Sequence, residues 1–264
     1  MREPVAFPLR HPWDRAFHLV MLLLVWAAIV SGFAYHNITK LMAGQLTYPW
    51  IVHLHGVVFA GWLLLLTAQM LFVRRGQVAL HRRIGVFGAG MAAVMVLLGV
   101  ATAIVTERLK FGTPASDARF MSVMFADMLV VGGLISAGIA VRNNSSAHKR
   151  LLLVATLVMT DAGFGRWLSP QIVRWTGVKN FWDLQSLADG GWLFVRFQLL
   201  PAYTLIAAVG VYDLITRKRL HPAYCWAIAF SLPIHLLAGW LYFQPFWNRI
   251  ALRIIGAPTP PIFP

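Results

Sequence analysis

His55 and His235, on two different apolar segments, are the residues best placed for chemistry. Neutral imidazoles facing each other across a helical bundle suit the two axial positions of haem b iron, and an apolar slot between helices accommodates the macrocycle. His53 points about 200° away from His55 on a helix, so both cannot serve one small centre. Asp127 and Asp161 lie well inside two further apolar segments. Imidazole with carboxylate is an ordinary transition-metal ligand set, which makes His53, His55, Asp127, Asp161 and His235 the candidate metal ligands. Arg166 and Arg196, with Gln198, Tyr203 and Thr204, offer a different chemistry. They would hold the carboxylate, phosphate or quinone oxygens of a ligand while an aspartate relays protons. The competing structural reading pairs Asp127 and Asp161 with Arg166 and Arg196, whose charges cancel, or lets the arginines snorkel to the interface.

The elements that must position these residues are membrane helices. The chain has 264 residues, 59% hydrophobic and 12% charged, a balance that excludes a soluble globule. It reads as one all-α integral membrane domain over 1–264, a polytopic bundle of about seven spans. These fall at 17–35, 50–73, 84–106, 119–141, 151–168, 193–214 and 223–245, each sized for roughly 30 Å of hydrocarbon. The first is too long for a signal-peptide core and is expected to stay in the mature protein. Basic residues beside alternate span ends favour the side of Arg15, Arg82, Arg83, Arg142 and Arg219. That bias predicts an inner-membrane protein with a cytoplasmic N-terminus and an external C-terminus.

The formal charge of +14 sits in clusters beside apolar spans, so anionic lipid head groups, not nucleic acid, are the expected partner. Cys225 is the lone cysteine, which excludes a disulfide framework, a thiolate cluster and a C-x-x-C-H haem attachment. No P-loop, G-x-S-x-G elbow or H-E-x-x-H helix is present, and the sequence assigns no catalytic residue.

Finer patterns orient the candidates. His55, Trp62 and Gln69 recur at a spacing of seven and project from nearly one side of a helix. Ser231 and His235 stand one turn apart around Pro233, which weakens the backbone ladder; bonding to a freed carbonyl is the structural reading of His235. The connection 169–192 is expected along the outer interface, as an anchor or a lid. His81-Arg82-Arg83 and His148-Lys149-Arg150 are assigned to orientation and phosphate contact. His18, His81 and His148 form a second candidate centre, with simple hydration as the alternative. Gly163 and Gly165 either pack a helix closely or make room for a flat cofactor.

His53-Leu54-His55-Gly56, Leu80-His81-Arg82-Arg83-Ile84-Gly85 and His148-Lys149-Arg150 together resemble a family of uncharacterised bacterial multi-pass membrane proteins. That likeness covers about half of the chain, from His53 to Arg166, and implies membrane architecture. His55-Gly56, Arg74 and His81 are more distantly similar to the transmembrane ascorbate-dependent b-type cytochromes, which implies haem binding. Those cytochromes carry paired histidines on four consecutive helices; the third, fourth and fifth spans here have no deeply placed histidine.

Three functions stay open at this point. The first is an outer-half site for haem b or a transition metal, passing electrons from a quinone-like donor to an external redox partner. The second is a carrier or binding protein for a small anion or lipid-like ligand. The third is a non-catalytic assembly or scaffold subunit.

Overall fold

The computed structural model describes residues 11–44, 47–113, 116–177 and 190–258, with backbone alone over 190–198. Its described residues are helical throughout, without a strand. The helices are α1 Asp14–Met42, α2 Trp50–Arg74, α3 Val78–Lys110, α4 Met121–Ala140, α5 Ser145–Val158, α6 Thr160–Thr176, α7 Gly190–Arg217, α8 Pro222–Tyr242 and α9 Pro245–Ile254. A single 3-10 turn, Ala118–Phe120, precedes α4. Seven of the resulting segments are long and apolar enough to cross a bilayer, with α5 and α6 counting as one. The chain is an integral membrane protein of the all-α polytopic class.

Most helices run past the apolar cores marked by sequence, because backbone hydrogen bonding continues beyond the hydrocarbon-length run. α3 begins at Val78 and ends at Lys110, well outside 84–106. The expected fifth span, 151–168, falls within one longer segment, Ser145–Thr176. It is two abutting helices broken at Met159, and the second continues to Thr176 before Gly177 closes it at φ 71°. Thr156 and Thr160 donate to the carbonyls of Leu152 and Leu157 on either side of the break. Such back-bonding competes with the helix ladder and bends it. The first part of the 169–192 connection is therefore helix; residues 178–189 lie outside the described residues.

α4 and α5 form the middle of the bundle. α4 packs on α3, α5 and α8, while α5 also packs on α7 and α8. The core there comprises Val130, Val131 and Leu134 of α4 with Leu151, Val154, Leu157 and Val158 of α5. α1 packs chiefly on α6, and α2 on α3. The α1–α6 contact is backbone to backbone: a Cβ on Gly32 would strike the Gly163 carbonyl, and one on Gly163 the Ala28 carbonyl. Gly163 thus serves close helix approach, and it brings α6, with Asp161 and Arg166, against α1.

Candidate functional site

Four helices bring a polar group together inside the bundle. His235 of α8 directs Nε2 at Asp127 Oδ1 of α4, 3.1 Å away, and its Nδ1 meets the Tyr203 hydroxyl of α7 at 2.8 Å. The Tyr203 and His235 rings stand edge to face at 89°. The Asp161 carboxyl of α6 adjoins that of Asp127 closely enough to interact with it. Tyr203, His235, Asp127 and Asp161 thus adjoin one another across four helices, with the His235–Asp127 approach off the line of a hydrogen bond. If the tyrosine hydroxyl donates to Nδ1, the ring proton falls on Nε2 and faces Asp127.

Local structure explains the convergence. The break at Met159 starts a new helix with Asp161 in its first turn, where the helix dipole favours an acid. Pro233 loosens α8 beside His235. The expected structural partner of His235, a carbonyl freed by that proline, is replaced by Tyr203. Ser231, one turn before, faces Tyr203 with no aligned hydrogen-bond partner for its Oγ. Asp127 Oδ1 and His235 Nε2 also lack an aligned partner: they are near each other but off the line of a hydrogen bond. His235 keeps 2% of its side chain exposed and Asp127 15%, so approach to the pair runs over the aspartate.

A second set of groups lies toward the α6 end. Arg166 donates from Nη1 to its own helix at Ala162 O, 2.7 Å, and its guanidinium covers the Phe33 ring of α1 at 4.1 Å. Its Nε is buried without a partner among the described residues. Arg166 and Asp161 attract through space, and the hydrogen bond seen for Arg166 goes to backbone; the Arg196 half of the pairing read from sequence lies outside the described residues. His55 of α2 stacks on Phe59 at 4.0 Å, within electrostatic range of Arg166, and its Nδ1 has no partner among the described residues. His53 is exposed, edge-on to Tyr48 at 6.2 Å, on another side of α2. The 200° separation argued from sequence describes these two histidines correctly. Thr204 is turned to its own helix at Leu200 O. The side chains of Arg196 and Gln198 lie outside the described residues.

Of the stripe on α2, Trp62 is buried and reaches Thr156 of α5 at 3.4 Å, while Gln69 lies against His81 and Gly85 of α3. In the second histidine group, His81 and His148 meet edge to face at 6.2 Å. His148 Nδ1 is held by Gly138 O at 2.8 Å, and His18 Nδ1 by Asp14 O at 2.7 Å. Among the described residues, no group of three or more His, Cys, Asp or Glu side chains converges as a metal site would require.

Sequence reasoning missed a knot at the membrane face where α1 starts. Asp14 accepts from Arg217 at 2.7 and 2.9 Å, Tyr212 at 2.7 Å and Lys149 at 3.1 Å. Asp213 pairs with Arg150 and lies 3.6 Å from Arg217. Arg150 is 2% exposed and also donates to Ser146. Its assignment to lipid phosphate is corrected: the side chain points into the bundle and is spent on Asp213. Asp213 and Arg217, four apart on one helix face, carried the available signal.

No family model, curated protein or solved structure matches the chain.

Proposed function

We propose that this membrane protein binds a small acidic or lipid-like ligand at the α4–α6–α7–α8 centre and exchanges protons with it, as a binding protein or carrier. The observation that supports this reading is that, among the described residues, Asp127 Oδ1, His235 Nε2 and Ser231 Oγ are buried without aligned partners at the centre, and Arg166 Nε and His55 Nδ1 likewise in the second set. Buried polar groups are nearly always paired, so a cluster of exceptions marks a place built for water or ligand. Arg166 and His55 supply donors for an anionic head, and the Asp127–Asp161 pair with His235 supplies a proton.

The haem reading draws one support from His55, whose ring nitrogen is free beside a stacked aromatic. His235 serves it less well, because Tyr203 and Asp127 face both of its nitrogens. An iron would have to displace one of them, and no electron-transfer step is built on this arrangement. An absorption spectrum with metal analysis of the purified protein separates the readings, a Soret band or stoichiometric metal favouring the cofactor.

The direct test uses protein in lipid nanodiscs and a fluorescent long-chain carboxylate as probe, with a pH dye recording proton exchange. Saturable binding with proton uptake is expected. Arg166→Gln should weaken it about tenfold, or roughly 1.4 kcal/mol. Asp127→Asn should abolish the proton signal. Absence of saturable binding, or binding indifferent to both substitutions, rejects the proposal.

A further inference from the structure

α9 is too short to cross a bilayer and has a face that the bundle leaves open. α8 spans 21 residues, Pro222–Tyr242, about 31 Å at 1.5 Å per residue. The chain then turns at Phe243 and Gln244, and α9 starts with Pro245 in its first turn. α9 does not extend the span. Ala251 and the following Ile255 pack on Ala118 and Met121 at the start of α4, and Trp247 Nε1 donates to Arg119 O at 2.8 Å. These contacts fix the helix at the membrane face where α4 begins.

The remaining surface has a clear pattern. Phe246, Ile250 and Ile254 are 41%, 42% and 39% exposed and recur every fourth residue, so they form one stripe. That stripe continues the apolar surface of α8: Trp240 is exposed, and its ring lies 6.1 Å from Phe246. Arg249 and Arg253 flank the stripe on the side away from Ala251, and α9 contains no acidic residue. An apolar stripe joined to a lipid-facing helix and bordered by arginines fits the boundary between acyl chains and head groups.

We infer that α9 is an interfacial anchor, with Phe246, Ile250 and Ile254 set into the lipid leaflet and Arg249 and Arg253 on anionic phospholipid phosphates. The occupant is lipid and not a second copy of the chain, because the stripe is continuous with surface that a bilayer must cover and its cations match phosphate charge.

Nitroxide labels test this on the full chain in nanodiscs containing anionic lipid. Cys225→Ser removes the one native thiol. Phe246→Cys, Ile250→Cys and Ile254→Cys then place labels on the stripe, with Thr113→Cys, at an exposed loop position, as the water-facing reference. Collision with oxygen should exceed collision with a water-soluble nickel chelate severalfold at the stripe and reverse at Thr113. Preferential nickel access would place the stripe in water and overturn the inference. Exclusion of both reagents would show a protein cover and overturn it as well. Arg249→Gln with Arg253→Gln should move the Ile250 label severalfold toward nickel access in anionic discs. An unchanged ratio would remove the phosphate contact.

Discussion

The knot around Asp14 and Asp213 and the centre around Asp127 and His235 are both buried polar assemblies, and they treat their atoms in opposite ways. In the knot the charges are matched at short range: Asp14 takes Arg217, Tyr212 and Lys149, and Arg150 takes Asp213 and Ser146. In the centre, Asp127 Oδ1, His235 Nε2 and Ser231 Oγ lack aligned partners among the described residues. Leaving one buried group unsatisfied costs about 1–3 kcal/mol, so a chain able to saturate one assembly has a reason to leave the other open. The knot joins α1, α5 and α7 and holds the bundle. On the proposed function, the centre is where a ligand completes the bonding.

The largest break in this comparison comes from the knot. Arg150→Met should cost about 3 kcal/mol, because it takes from the buried Asp213 carboxylate its closest cation and leaves only Arg217, 3.6 Å away. Adding Asp213→Leu should recover most of that loss, since an apolar pair replaces an ion pair at little net cost. Thermal unfolding in detergent measures both. Asp127→Asn, examined in the same way, should change stability by under about 1 kcal/mol, because its loss falls on ligand and proton handling. Equal losses at the two sites would erase the distinction.

Gly163→Ala sharpens the contrast by geometry alone. The added methyl meets the Ala28 carbonyl, which belongs to backbone and cannot turn aside. α6 must move from α1, at about 1–3 kcal/mol. That shift displaces Asp161 and Arg166 but none of the knot residues on α5 and α7. Binding of the carboxylate probe should therefore fall further than stability does.

The spans and the depth of Asp127, Asp161 and His235 were legible because long apolar runs and their ionisable interruptions are local features. Rotation was not legible. Arg150 read as a surface cation because basic residues at span ends usually meet lipid, and only the distant Asp213 turns it inward. His53 and His55 were separated correctly, since angular offset along one helix needs no neighbour. The break at Met159 had no glycine or proline to announce it; the threonines on either side act only through their rotamers. α9 escaped notice because Pro245 reads equally as the end of a span or the first turn of a new helix.

His221 gives a smaller effect, near the knot. Its Nδ1 accepts the Ala223 N–H at 3.0 Å and caps α8. Burial, and then the Arg150 charge, push its pKa from 6.5 down to about 4; Lys149 and Arg217 act in the same direction, while Asp213 opposes them. The folded state thus binds fewer protons than the unfolded one between these values. Stability from this group is complete above about pH 6.5 and is lost as pH falls toward 4. His221→Ala should cost about 1 kcal/mol through the cap. His221→Asn should keep the cap and flatten this part of the pH dependence, measured as melting temperature against pH.

Ser231→Ala should have the smallest effect, and it probes the centre most directly. A hydroxyl that is 0% exposed and bonded to a partner leaves that partner stranded when removed, whereas an unpartnered one takes its own desolvation penalty away with it. Ser231 Oγ belongs to the second kind, so the alanine variant should unfold within about 0.5 kcal/mol of the parent, or slightly later. A loss above about 1 kcal/mol would mean that Tyr203 holds this hydroxyl in an aligned bond, as the knot holds its own groups. The centre would then be as closed as the knot, and the case for a bound ligand would lose its physical basis.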